Sequence, residues 1–97
     1  MVEGWQTLPL STPVLRTSQD SLVKRFDFVD YGTAFSFVEG TAQHAAAVDH
    51  HPELILGYNQ VTVLLTTHDT GGISGRDRDF ASWLDQHWLD QQPAPAS

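Results

Sequence analysis

Two histidines stand side by side in Asp49-His50-His51-Pro52-Glu53, in a chain that has five histidines in all. A third, His68, lies in Thr66-Thr67-His68-Asp69-Thr70-Gly71-Gly72, and Asp77 follows nine residues later. Imidazole titrates near pH ~6.5, so a histidine can both give and take a proton under cellular conditions. Acid/base catalysis is therefore the first candidate, with a metal site as its competitor. A metal is poorly served: neighbouring residues on a helix point about 100° apart, which suits chelation less well than an i, i+4 pair. The chain has no cysteine and no HExxH, and no metal site is expected. His44 could share a helix face with His51 only if the helix ran on through Pro52, and a proline pushes the residue before it out of the α region. Nucleophilic catalysis has still less to build on. Ser74 and Ser82 lack an elbow motif, and Gly71, Gly72 and Gly75 lack the spacing that cradles a phosphate.

These residues need elements to hold them. Trp5–Leu8 and Val14–Thr17 read as short strands, with a turn at Ser18-Gln19-Asp20. Residues 22 to 28, "LVKRFDF", put Phe26 and Phe28 on one face and Arg25 and Asp27 on the other, the period of a half-buried strand. Asp30 suits a helix N-cap, since its carboxylate can accept orphan amide hydrogens. Phe35, Val38, Ala42 and Ala45 then recur at spacings of three and four, an apolar helix face. Gly32 and Gly40 weaken that helix by up to ~1 kcal/mol each, and Gly40 reads as a close approach to a sheet. Pro52 stops the helix, so His51 is expected to be extended while His50 closes the last turn. There the negative end of the helix dipole favours a proton-donating ring. "LILGY" and "VTVLLTTH" follow as a hairpin turning at Asn59-Gln60. Ser74 with Asp77 resembles a capping box, and Phe80, Trp83, Leu84 and His87 trace an amphipathic helix. Strands, helix, hairpin, helix imply an α+β fold: an antiparallel sheet with helices packed on one face.

The bulk numbers narrow the function. Ninety-seven residues make one domain, here drawn as 1–90 with a disordered Pro/Ala/Gln tail at 91–97. A net charge of −7 with only five Lys plus Arg argues against nucleic acid or an anionic membrane as partner. No apolar run of the ~18 residues needed to span a bilayer is present. The start, "MVEGWQTLPLSTP", has neither a basic nor an apolar leader region, so a cytoplasmic protein is expected.

Taken one at a time, His50 reads as a helix cap, His68 as a strand-end surface residue and Asp77 as a capping acid. The constellation says more. "HHPE", then Tyr58, then "TTHDTGG", then Asp77 resembles the pterin-4a-carbinolamine dehydratase family, over nearly the whole chain from Gly4-Trp5 through "RFDFVDY" to the C-terminal helix. The resemblance implies a four-stranded antiparallel sheet with helices on one face. It also implies dehydration of 4a-hydroxytetrahydropterin carbinolamines to quinonoid dihydropterin, in recycling of the pterin used by aromatic amino acid hydroxylases. By the same resemblance His50 and His68 take the acid/base roles, and His51 positions the substrate and assists. Pro52 fixes the geometry of the pair, Tyr58 supplies the motif's aromatic, and Asp77 orients a histidine or holds the pocket loop. Pterin is then the substrate and no cofactor is implied. A homodimer or homotetramer is expected. Ala46 and Leu54 depart from the family's usual charged and aromatic residues, which predicts a raised KM. The family also has members that act as dimerisation cofactors of a transcription factor or as Rubisco assembly chaperones, so a binding role is the alternative.

Overall fold

Apolar and polar residues alternate from Leu22 to Asp27, and a strand forms there. In the computed structural model, which describes residues 4–8, 21–66 and 73–92, β2 spans Ser21–Asp27. It buries Leu22 and Phe26 on one face and leaves Arg25 and Asp27 exposed on the other. With β1 at Gln6–Leu8, β3 at Glu53–Leu56 and β4 at Gln60–Leu65, the order across the antiparallel sheet is β1-β2-β4-β3. Leu22 lies opposite Leu65 and Phe26 opposite Val61, while Leu54 and Leu56 of β3 meet Val63 and Val61. Three strands form the body of the sheet. The fourth place is held by the three-residue β1, not by a strand of comparable length. The strand expected at Val14–Thr17 and the turn at Ser18–Asp20 lie outside the described residues.

The hairpin turns one residue earlier than expected. The Gly57 amide donates to the Gln60 carbonyl at 2.7 Å, so Tyr58 and Asn59 are the central residues and Gln60 already belongs to β4.

Helix α1 runs Tyr31–Val48. Asp30 caps it: Oδ1 accepts the Thr33 amide at 2.8 Å and the Thr33 hydroxyl at 2.7 Å. The buried stripe is Ala34, Phe37, Thr41 and Ala45, with Val38 beside it. The expected stripe is thus rotated, for Phe35 is 47% exposed and Ala42 is exposed. Both sets have helical spacing, and the sheet chooses between them. Phe37 meets Phe26 and Phe28 with ring centroids 5.0 and 5.1 Å apart. Thr41 is tolerated inside because its hydroxyl donates to the Phe37 carbonyl at 2.7 Å.

Helix α2 runs Gly75–Asp90 and buries Asp77, Phe80, Ala81 and Leu84. Leu22, Phe26, Val61, Val63 and Leu65, the inward residues of β2 and β4, join Phe37, Ala45, Phe80 and Leu84 in one core. Both helices therefore cover the same face of the sheet, the expected α+β arrangement. Trp88 is fastened within the chain, donating its indole N–H to the Asp27 carbonyl at 2.8 Å. Gln91 and Gln92, assigned by sequence to a disordered tail, instead close the end of α2 through amide bonds to carbonyls of its last turn. Residues 93–97 lie outside the described residues. No described helix is long and apolar enough to cross a membrane.

Phe37 is the keystone of this packing. Phe37→Ala is expected to cost about 3–5 kcal/mol by opening a cavity between both helices and the sheet. Against a total stability of ~5–15 kcal/mol this is severe. Urea denaturation of wild type and variant measures it. A loss below about 1 kcal/mol would mean that the core refills.

Candidate functional site

The site begins where α1 must stop. Asp49 takes the left-handed conformation, φ 53° and ψ 47°, and is the non-glycine residue with positive φ among those described. Asp and Asn are the side chains that best tolerate this region. The helix therefore ends at Val48, and His50 lies beyond the turn instead of closing the last one. Its amide still reaches back to the Ala45 carbonyl at 3.1 Å. From α2, Arg76 Nη2 donates to the Asp49 carbonyl at 2.8 Å and holds the turn from outside.

This turn swings His50 inward, where it is 8% exposed. Its Nε2 lies 2.6 Å from Asp77 Oδ1. Asp77 is fully buried, and its Oδ2 accepts the Ser74 amide at 2.8 Å. The capping box read from the sequence exists, and its acid serves the histidine as well. A carboxylate in the first turn of a helix faces the positive end of the dipole. It only accepts hydrogen bonds, so Nε2 carries the proton and Nδ1 is the nitrogen left to exchange one. Nδ1 has no hydrogen-bond partner among the described residues.

The other expected residues are placed as follows. His51 is exposed, and Pro52 is half-buried and leads straight into β3. His68 lies outside the described residues. Tyr58 is not brought to His50. It is 78% exposed at the hairpin turn and stacks on Tyr31 at 6.4 Å. Tyr31 opens α1 and His50 follows its end, a span of about 27 Å for an 18-residue helix. Ala46 is exposed, and Leu54 packs against the core. Among the described residues no three His, Asp or Glu converge well enough to hold a metal ion.

A cavity of about 380 Å³ opens between the helices, lined by His44 and Val48 of α1, by His50, and by Arg76, Asp79, Phe80 and Trp83 of α2. Of the expected site residues that are described, only His50 lines it. The His44 ring lies flat on Trp83, centroids 3.8 Å apart and planes 3° from parallel, with Phe80 edge-on at 4.9 Å. Trp83 in turn stacks with His87 at 4.6 Å, and His87 with Phe37 at 4.9 Å. His87 Nε2 donates to the Phe37 carbonyl at 3.2 Å. Gly40 makes room for it, since a Cβ there would come within 2.6 Å of the His87 ring. The close approach expected of Gly40 is real, but its neighbour is α2 and not the sheet. The i, i+4 pairs Gly40/His44 and Trp83/His87 were the signal available for this contact. Burial, and then the neighbouring His87, hold the His44 ring below the usual histidine range.

An antiparallel sheet backed on one face by two helices defines a class of α+β domain that known structures share. The transcriptional coactivator/pterin dehydratase from Brucella melitensis superposes with a TM-score of 0.73 at 31% identity, over 89% of this chain and 83% of that one. A pterin dehydratase-like protein identified as a RuBisCO assembly factor of the α-carboxysome shares the fold, with a TM-score of 0.69 at 22% identity over 89% of this chain and 90% of its own. The family model for pterin 4 alpha carbinolamine dehydratase matches residues 1–87, and the chain belongs to that family. Two curated relatives, provisionally named pterin-4-alpha-carbinolamine dehydratases, agree. The one from Picosynechococcus is 43% identical over 67 residues, 69% of this chain and 73% of its own. The one from Novosphingobium aromaticivorans is 46% identical over 67 residues, 69% of this chain and 70% of its own.

Two outcomes follow from this geometry. Asp77→Ala strands a buried ring N–H and a helix-start amide, at about 1–3 kcal/mol for each lost partner. Asp77→Asn should fall between, because the amide oxygen still accepts from one donor. A cost no larger than that of Asp79→Ala, on the exposed side of the same turn, would deny the pair any structural weight. The second outcome concerns pH. Folding favours neutral His44, so its contribution is present above the unfolded value of about 6.5 and is lost as pH falls through the lower folded value. Thermal melts should drop below about pH 6.5, and His44→Phe, which keeps a flat ring, should show a shallower drop.

Proposed function

We propose that this protein dehydrates 4a-hydroxytetrahydropterin carbinolamines to quinonoid dihydropterin, by histidine acid/base catalysis in pterin recycling. The buried His50–Asp77 pair carries this reading. A histidine held in one tautomer by a buried acid beside a cavity is placed for proton transfer as well as for packing, and the chain belongs to a family of dehydratases. In the proposed reaction one imidazolium protonates the departing 4a-hydroxyl, which leaves as water, and the ring N–H proton passes to a second base. Nothing is oxidised or reduced, so the chemistry calls for no redox partner. His50 and His68 share the two proton roles. Asp77 orients His50, Pro52 fixes the turn, and the exposed His51 meets the substrate. Tyr58, stacked on Tyr31 across the domain from His50, is not assigned a contact with the substrate.

A binding role is the second reading. It is favoured by the exposed apolar group Val29, Tyr31, Phe35 and Tyr58 and by the fold shared with a RuBisCO assembly factor. Under either reading we propose a homodimer or homotetramer in the cytoplasm. Trp83 and Trp88 pack within the chain, so support for assembly comes from the edge strand β3, where Ile55 is 43% exposed.

Carbinolamine dehydration followed spectrophotometrically tests the proposal. His50→Ala should lower kcat by about 10²-fold, the lower range for a general acid or base, because the carbinolamine also loses water unaided. His51→Ala should raise KM more than it lowers kcat. No rate above the spontaneous one at saturating substrate would leave the binding role standing. Light scattering that shows a monomer at micromolar concentration would remove the oligomer.

A further inference from the structure

We propose that Tyr31 and Tyr58 form an oxidation site, at which a one-electron oxidant joins the two rings into a dityrosine within the chain. They are the only two tyrosines of the sequence, and the fold brings them together from distant positions. Their ring centroids lie 6.4 Å apart with planes 23° from parallel, inside the ~4.5–7 Å range of offset aromatic pairs. Tyr31 is 50% and Tyr58 78% exposed, so an oxidant reaches both from solvent. Neither phenol hydroxyl is bonded to another described residue, and each can pass its proton to water.

The backbone keeps the pair in place. Tyr31 opens α1 directly after the Asp30 cap. Tyr58 is a central residue of the hairpin turn that the Gly57 amide closes on the Gln60 carbonyl. The Phe28 amide donates to the Asn59 carbonyl at 2.8 Å, which ties this turn to the segment leading into the helix. Two fixed supports thus present two rings side by side, and exposed side chains still rotate within ps–ns. Competing sinks for the oxidant are few. The chain has no cysteine. Trp5 is buried and bonded to Asp85, Trp83 is stacked between His44 and His87, and Trp88 is fastened to the Asp27 carbonyl.

Each phenol gives one electron to the oxidant and its hydroxyl proton to water, leaving two phenoxyl radicals. A carbon–carbon bond forms between ring carbons adjacent to the two oxygens. Each of those carbons then loses its hydrogen as a proton, and its oxygen is reprotonated. The pair loses two hydrogen atoms in all. Hydrogen peroxide, acting through a haem peroxidase, takes up the two electrons and two protons and becomes two waters. Meeting a second molecule at micromolar concentration takes about a millisecond even at a diffusion limit of ~10⁹ M⁻¹s⁻¹, whereas side-chain rotation takes nanoseconds. The bond therefore forms within one chain and staples the hairpin to the start of α1. Like a disulfide, it closes a loop in the unfolded chain and removes part of its freedom.

Treating the whole protein at micromolar concentration with a haem peroxidase and hydrogen peroxide tests the site. Dityrosine fluorescence is expected in a product that runs as a monomer on a denaturing gel. Its mass should be lower by two hydrogens, and digestion should place the link between peptides holding Tyr31 and Tyr58. The stapled protein should melt at least about 5 °C higher than the untreated one. Tyr31→Phe and Tyr58→Phe each keep a stacked ring, which guards against a folding defect, and each should abolish the intrachain product. Links formed only between chains, or oxygen added to tryptophan in place of any tyrosine link, would overturn the proposal. So would an intrachain product that persists in either phenylalanine variant. The pair stands apart from His50, so these outcomes are the same whether or not the protein is a dehydratase.

Discussion

One short hydrogen bond, His50 Nε2 to Asp77 Oδ1 at 2.6 Å, closes the seam between the helices. Much of the local structure serves it. Asp49 must turn left-handed so that His50 leaves the helix axis. Asp77 must sit in the first turn of α2, where Ser74 and the helix dipole hold its charge. Arg76 binds the backbone of the turn while its neighbour Asp77 binds the side chain, so two consecutive residues grip two consecutive residues. Removing one partner would leave a buried polar group without the other, which is why such pairs behave as a unit.

The sequence made this legible where the determinants were local. The capping box, the aspartate cap of α1, the period-two strand and the stop at Pro52 each follow from neighbours in the chain. Asp77 was expected to orient a histidine or to hold the pocket loop, and its Oδ1 lies 2.6 Å from His50 Nε2. What could not be read depended on partners far along the chain. The rotated face of α1 is an example: Phe35 and Phe37 both fit a helical stripe, and only the aromatic rings of β2 and its following turn decide for Phe37. Tyr58 follows the histidine pair closely in sequence, yet β3 carries it to the other end of the domain. The stack of His44, Trp83 and His87 arises from a helix–helix approach that leaves only Gly40 and two i, i+4 pairs as its trace. His68 sits beyond the described residues, so its place beside His50 rests on the family resemblance.

The fold alone does not choose between chemistry and binding. The same sheet and helices occur in a pterin dehydratase from Brucella melitensis and in a RuBisCO assembly factor. In such folds function resides in the site. Here two features point in different directions from opposite ends of α1: a buried acid–imidazole pair at its C-terminus, and an exposed aromatic pair, Tyr31 on Tyr58, at its start. A single rigid helix holds them apart, so each surface can change by mutation with little effect on the other.

The carboxylate of Asp85 has a consequence for how the molecule comes apart. It accepts the indole N–H of Trp5 at 3.2 Å and the ammonium of Lys24 at 2.8 Å, so an early residue and the last helix share one knot on the sheet's helix-covered face. Trp5 is buried against Phe26. Terminal segments usually fray first, opening at little cost while the centre stays folded. In this chain the peeling of Trp5 exposes an aromatic ring and loosens α2, and the peeling of α2 strips the partner from Trp5. Trp5 and α2 are thus latched together, and the opening of either loosens the other.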